Sequence, residues 1–487
     1  MKPIDKAPLQ GWQAWAVGFW MVLPWVQPWA PTPLPNVVPL LISWSCIGLL
    51  MAQGLRLQAL DIARAWAIAA ALSSAMGLAQ YFGLTDALGH WVHAPEVLGE
   101  ARANLRQRNQ LATLTSLGLV ATLWWASNGL LRHHALGLLA LTAAGNAATN
   151  SRTGLLQMLL MTSLVILWAQ LGRRHQCLSW RLVLWALGVY ALCIWALPLL
   201  LSASSGADAV SALTRMGSND GCSSRSVLWR NVLALIAQKP WWGWGWDELK
   251  YAHYSASYSG ERFCEILGNA HNGPLQLAFA LGVPVAALIT LGLVLITLLM
   301  RPLQARSTEH QLAWGVLAVI ALHSLLEFPL WYGPFQMAVV LCIVLLLPSR
   351  WDVSFVKRRV LPFAGIAVLA VAAFIAVDYS RVRQIFISDS QRSKVWPGDA
   401  LSVAKSSVAF QTTAQFAEYS ITSVTADNAP QMLATGLNML HYSPELKVIR
   451  KVIEAAQLVG DEETAKQHRK WMKEAFGLDA DRSNQAN

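Results

Sequence analysis

An all-α, polytopic membrane protein is predicted by three observations. Of 487 residues 55% are apolar and only 13% charged, with a mean hydropathy of +0.40. Apolar runs of about twenty residues recur along the chain, the length a helix needs to cross a bilayer. Basic residues gather in alternate short connections between those runs, which is how orientation in a membrane is set. The formal charge of +10 therefore reads as topology, and no nucleic-acid partner is expected.

The runs fall at 12–30, 36–54, 62–82, 109–127, 134–150, 153–171, 181–202, 273–300, 312–326, 335–349 and 360–378, which gives about eleven transmembrane helices. The first follows Lys2 and Lys6 and carries Trp12, Trp15, Trp20 and Trp25 without a small-residue cleavage site, so it reads as an uncleaved span. Arg56 and Arg64, Arg132, Arg173, Arg174 and Arg181, Arg301 and Arg306, and Arg350, Lys357, Arg358 and Arg359 join those lysines on the cytoplasmic side. The turn 31–35, the loop 83–108, the turn 145–152, the loop 203–272, the turn 327–334 and the tail from 379 then face outward. Many of the 24 tryptophans suit the aromatic belts at the two surfaces, and others fill the core.

The loop 203–272 is too long to be a mere connection. Within it Val227, Leu228, Val232, Leu233, Leu235 and Ile236 recur at helical spacing, which predicts an amphipathic helix over 225–237 lying against the membrane face. Pro240-Trp-Trp-Gly-Trp-Gly-Trp246 ends it, without the third glycine or the preceding strand of a dinucleotide fingerprint. Cys222 and Cys264 bracket this helix, and a disulfide between them would stabilise the loop by roughly 4 kcal/mol. None of the six cysteines has metal-ligand spacing.

Beyond residue 378 the chain becomes richer in charge. Segments 429–440, 444–458 and 462–476, with Gly460-Asp461 as stop and start, read as paired helices of a tetratricopeptide-like kind. Docking onto the membrane domain would cover their open face. The expected domains are thus 1–378, a transmembrane catalytic domain including the loop 203–272, and 379–487, a small helical domain.

Polar groups collect at the outward ends of the spans: Asn109 with Gln110, Arg152, Arg225, His271 with Asn272, and Glu327 with Tyr332. Singly, an arginine there snorkels to headgroups and a histidine caps a helix. Their coincidence on one side points to a site. Arginines beside helix N-termini suit a pyrophosphate, which Arg152 and Arg225 would hold without a metal, since no acidic ligand cluster accompanies them. His271 is suited to take a hydroxyl proton near neutral pH. The segment Arg106–Gln110 is basic enough to contact phosphate or lipid headgroups, or else the rest of the long loop. No cofactor is expected.

Five stretches, in order, resemble a known superfamily: Ser151-Arg-Thr-Gly154, Ser224-Arg-Ser-Val-Leu-Trp229, Pro240-Trp-Trp-Gly-Trp-Gly-Trp246, Asn269-Ala-His-Asn-Gly-Pro-Leu-Gln276 and His323-Ser-Leu-Leu-Glu-Phe-Pro-Leu-Trp-Tyr332. Together they look like the bacterial O-antigen ligases and polymerases. Within that superfamily they look most like the PglL-type protein O-oligosaccharyltransferases, the branch favoured by Glu327-Phe-Pro-Leu330 and by the tail. The resemblance implies a multi-pass enzyme of the bacterial inner membrane with its active site, long loop and C-terminus in the periplasm. Its donor would be an oligosaccharide on undecaprenyl pyrophosphate and its acceptor a Ser or Thr of a periplasmic protein such as a pilin. His271 would be the base, Arg152 and Arg225 the pyrophosphate ligands, and Gln157 and Tyr332 positioning residues, in a single inverting displacement.

Two other readings compete. One is a lipid A-core O-antigen ligase using the same chemistry on a sugar hydroxyl. The other is a polytopic lipid or solute transporter, which would call for internal repeats and midplane charges. No repeat is visible, and the charges sit at span ends.

Overall fold

The computed structural model describes residues 11–53, 57–94, 97–171, 177–206, 221–305, 307–347 and 360–477. Among these residues the regular structure is helical throughout. A helix occupies each expected apolar run: α1 (Gly11–Val26), α2 (Val37–Ala52), α3 (Ala59–Tyr81), α4 (Arg108–Ser127), α5 (Arg132–Ala148), α6 (Arg152–Leu171) and α7 (Trp180–Ser205). The loop contributes α8 (Arg225–Gln238), α9 (Leu249–Ser255) and α10 (Gly273–Leu281). Then follow α11 (Val283–Leu299), α12 (Thr308–Ser324), α13 (Gly333–Leu346) and α14 (Leu361–Arg383). The tail adds α15 (Ala400–Lys405), α16 (Gln411–Ile421), α17 (Ala429–Tyr442), α18 (Leu446–Leu458) and α19 (Glu462–Phe476). Five helices, beginning at Ala59, Arg152, Trp180, Val283 and Leu361, are long and apolar enough to cross a membrane. Of the basic residues assigned to the cytoplasmic side, Lys2, Lys6, Arg56, Arg173, Arg174, Arg306, Arg350, Lys357, Arg358 and Arg359 lie outside the described residues.

The chain divides into two compact units, residues 1–218 with 297–374, and residues 219–296 with 375–487. In the first, α4 is the central helix, and its residues from Gln110 to Trp124 are buried. Its neighbour α3 presents Ala63, Ala67 and Ala70, all buried, and a methyl at Gly118 of α4 would collide with Ala70. Small residues thus let the two backbones approach closely, the usual solution where helices pack within lipid. Because α4 is enclosed by protein, it can carry Thr113, Ser116 and Gln110 where a lipid-facing helix could not.

In the second unit α11 bears Leu288, Leu291, Leu293 and Leu295 exposed on its surface. A patch of that size in water would be anomalous and in a bilayer is ordinary. The run 273–300 is expected as one helix but is two, α10 and α11, broken at Gly282 with φ +86°. The cause is the tryptophan-rich turn after α8. Trp244 N–H donates to Phe279 O (2.8 Å), Gly245 N–H to Ala280 O (3.1 Å) and Val283 N–H to Pro240 O (2.8 Å). Gly243 and Gly282 are required for this backbone-on-backbone packing. A Cβ on Gly243 would stand 2.6 Å from the Ala280 carbonyl, and one on Gly282 would strike the Trp241 carbonyl.

The α8 helix forms where periodicity places it, with its apolar face turned inward rather than toward a membrane surface. Val227, Leu228, Val232, Leu235 and Ile236 are buried against Leu249, Phe263, Leu267 and Phe279, leaving Leu233 exposed. The tail helices α17 to α19 also appear, with Gly460 at φ +79° ending α18 and Asp461 capping α19 through Thr464 N–H (3.0 Å). Their covering includes the loop helix α9. Tyr254 joins the tail core, its hydroxyl hydrogen-bonded to His468 Nδ1 (2.9 Å), while Lys250 Nζ donates to Tyr442 O (3.0 Å) and Ser257 Oγ to Glu474 (2.6 Å).

Two tests follow from this packing. Gly282→Ala should lower the unfolding free energy of the purified protein by about 2 kcal/mol or more, read by thermal or denaturant unfolding, because a side chain at positive φ adds strain to the collision. Burial holds both His253 (with help from Arg262) and His468 down at about 4. A histidine with a lowered folded pKa binds fewer protons folded than unfolded, so acid favours unfolding. Stability of the second unit should therefore be full above pH 6.5 and fall steadily toward pH 4, and His468→Gln should flatten that slope.

Candidate active site

The turn 269–272 is built by its own polar side chains. Asn269 Oδ1 accepts from His271 N–H (2.8 Å), Gln276 Oε1 accepts from Ala270 N–H (2.8 Å), and Asn272 Oδ1 caps α10 through Leu275 N–H (3.0 Å). Pro274 then stands in the first turn, where its missing N–H costs nothing. Trp229 of α8 donates its indole N–H to Ala270 O (3.1 Å). These constraints hold His271 at φ +49°, a left-handed conformation that non-glycine residues adopt at a cost of about 1 kcal/mol or more. Its imidazole is only partly buried, on the residue immediately before the helix cap.

Arg225 stands on the other side of its own cap, as the first residue of α8 after Ser224, whose hydroxyl accepts from Val227 N–H (3.4 Å). The two helices are parallel. The start of α8 is tied to the start of α10 by Trp229, and the end of α8 to the end of α10 by Trp244, Gly245 and Val283. Both N-termini, with their outward backbone N–H groups and about half a positive charge each, thus open at one end of the pair beside Arg225 and His271. An anion is stabilised there by a guanidinium and two helix dipoles together. Cys222 and Cys264 are joined in a disulfide at this same end, Cα atoms 5.5 Å apart. Asn231 of α8 holds the segment before Cys264, accepting from Phe263 N–H (2.7 Å) and donating to Glu261 O (3.0 Å).

The first unit gathers the other expected residues into a buried polar network. Asn109 Nδ2 donates to Glu327 Oε1 (3.2 Å) and Asn109 Oδ1 accepts from Ser151 Oγ (2.6 Å). Ser151 in turn accepts from Gly154 N–H (3.0 Å), capping the helix that Arg152 opens. Preceding it, Asn150 sits at φ +51° with its amide donating to Gly99 O (2.7 Å). One turn along α6, Gln157 donates to Thr113 Oγ1 (2.8 Å) and Val319 O (3.2 Å) and accepts from Ser116 (3.3 Å). Thr113 also bonds His323 Nδ1 (2.8 Å) and donates to Asn109 O (2.9 Å). The one proton of the Thr113 hydroxyl can serve either that carbonyl or the His323 ring nitrogen, which ties the two contacts to a single choice. Tyr332, beside Asn36, Glu327 and Gln110, has its phenol pushed up by burial and by the Glu327 charge.

Sequence reading misses Thr113, Ser116, Ser151 and His323 as parts of this network, and Asn146, whose amide donates to Ser116 Oγ (3.3 Å). The one available signal is the density of small polar residues in a helix that otherwise reads as a span. It also leaves open the purpose of Arg106 and Arg108. Arg106, at φ +61°, donates to Pro28 O (2.7 Å) and Ala30 O (3.3 Å), while Arg108 and Arg102 pair with buried Glu100 at 3.1 and 2.8 Å. Both arginines are thus engaged within the protein, Arg106 by the turn after α1 and Arg108 by its own loop.

Segments of the chain match three family models: one described as protein glycosylation ligase over residues 101–126, one as O-antigen ligase over 137–290, and one as the C-terminal part of a membrane-bound polymerase virulence factor over 311–487. Asn109 falls in the first, Arg152, Arg225 and His271 in the second, and Glu327 and Tyr332 in the third. A protein of Acinetobacter baylyi named as a general O-oligosaccharyltransferase is 27% identical over 256 residues, 51% of this chain and 44% of its own length. The matched region thus spans less than half of that relative. The likeness read from the five motifs is borne out.

Removal of the cap beneath the imidazole tests the construction of the turn. Asn272→Ala should cost about 1 kcal/mol in unfolding free energy, and amide exchange should accelerate in α10 ahead of the tail helices.

Proposed function

We propose that this chain, similar to O-antigen ligases and to protein glycosylation ligases, is a protein O-oligosaccharyltransferase of the inner membrane. Its active side and tail face the periplasm, with about eleven helices crossing the bilayer. The observation that carries the reading is the pair of parallel helix N-termini holding His271 and Arg225 at one end. That arrangement offers a base and an anion site together, which is what transfer from a pyrophosphate donor needs.

In this reading the donor is an oligosaccharide on undecaprenyl pyrophosphate and the acceptor a Ser or Thr of a periplasmic protein, of which a pilin is one candidate. His271 takes the hydroxyl proton as the oxygen attacks the anomeric carbon. The bond from that carbon to the phosphate oxygen breaks, and its electron pair leaves with the lipid pyrophosphate. Arg225 and the N-terminal ends of α8 and α10 stabilise the growing negative charge. Arg152 keeps the phosphate-binding role the resemblance gives it. Asn109, Gln157, Glu327 and Tyr332 position its helix and the span ends around it. One displacement inverts the anomeric centre with no sugar–enzyme bond.

The test is transfer in vitro by the full chain, with defined lipid-linked oligosaccharide and purified acceptors. His271→Ala should lower the transfer rate by at least about 100-fold while leaving the unfolding profile unchanged. Arg225→Ala and Arg152→Ala should each raise the donor KM about tenfold or more with little change in the acceptor KM. Glycan appearing on lipopolysaccharide core and on no protein would reassign the acceptor, and full turnover by His271→Ala would remove the base.

A further inference from the structure

The tail carries a groove that the transfer chemistry does not use. It lies across α16 and α17, has a volume of about 440 Å³, and is floored by Met432, Met439 and Tyr419. From α17 it is lined by Gln431, Thr435 and Asn438, and from α16 by Gln415. Gln431, Thr435 and Asn438 recur at helical spacing on one face of α17, so they form a row about 10 Å long. Gln415, Gln431 and Asn438 are exposed. Asn428, at the mouth, is engaged in its own turn, its amide donating to Ser423 O (3.0 Å) and its Oδ1 accepting from Thr425 N–H (2.8 Å).

The charge on the lining cancels. Its one cation, Lys405, is paired with its one anion, Glu418, at 2.6 Å. The remaining polar groups are amides and the hydroxyls of Thr422, Thr435 and Tyr419, which offer donors and acceptors together. A second observation marks the floor. Tyr419 is 2% exposed and its hydroxyl has no hydrogen-bond partner among the described residues, although Gly436 leaves room for it where a methyl would collide. Such an orphan is uncommon in a buried setting.

We infer that this groove binds an extended, uncharged stretch of polypeptide. A peptide backbone alternates N–H and C=O along its length, and a row of amides meets both. The two methionines give an adaptable apolar floor that accepts side chains of different shape. A glycan fits less well, because sugar rings stack on open aromatic faces and the Tyr419 ring is enclosed. A row of about 10 Å matches about three residues of extended chain. Only in naming that polypeptide as part of the glycan acceptor does the inference rest on the function proposed above.

Direct binding to the full chain in nanodiscs tests it without reference to transfer. The probes are a fluorescent fifteen-residue peptide of Ser, Thr, Ala and Gly, the same peptide N-methylated at alternate residues, and a chitooligosaccharide. The plain peptide should bind, N-methylation should weaken it about tenfold, and the double variant Gln431→Ala with Asn438→Ala should weaken it by a similar factor. Both replaced side chains are exposed, so the melting temperature should stay unchanged, which separates lost contact from lost fold. Binding of the plain peptide that is absent, or equal in wild type and double variant, overturns the inference. Stronger binding of the oligosaccharide, abolished in the double variant, would give the groove to a glycan. A chain that transfers no sugar yet binds peptide in this pattern would sink the proposed enzyme and leave the groove standing.

Discussion

The left-handed backbone at His271 is the constraint on which the rest of the candidate site depends. Asn269, Gln276 and Asn272 each satisfy an N–H of that turn, Trp229 holds a carbonyl, and α8 lies parallel to α10 because of the same contacts. Asn272, extended at φ −159°, ends α10, and His271 stands just outside the helix in the left-handed conformation. The strain is modest, and several inexpensive hydrogen bonds together maintain it. Polar residues in this motif are therefore spent on geometry rather than on chemistry.

The first unit solves a different problem with the same materials. An apolar environment penalises every polar group left without a partner, so polar side chains inside it must form a closed set. Ser151, Asn109 and Glu327 form one branch, and Thr113, Gln157 and His323 another, joined through the Asn109 carbonyl. Arg152 stands on the helix that this set caps. Its placement is thus inherited from residues on α4 and α12, which are far away in sequence.

Helix positions were largely legible because twenty-residue apolar runs have few other solutions, and Gly460-Asp461 names its own turn. Three things were not. The break at Gly282 is invisible in an apolar run, since what divides the helix is a carbonyl of Trp241 contributed from some forty residues earlier. The inward face of α8 depends on Phe263 and Phe279 being present to cover it, and periodicity cannot tell a protein partner from a lipid one. The network around Gln157 is a matter of which helices are neighbours. By contrast, the pairing of Cys222 with Cys264 was suggested by their bracketing a single helix. Arg225 and His271 were legible as residues, while the shared direction of their helices was not.

The division of the run at Gly282 has a mechanical meaning. The apolar helix α11 is separated from α10 by the glycine joint, and its first N–H is held by Pro240 O. The short helix bearing His271 takes its bearing from the tryptophan-rich turn and from α8 instead. In the function proposed above, the residue that takes the acceptor proton is thereby positioned by protein contacts rather than by the apolar helix that follows it.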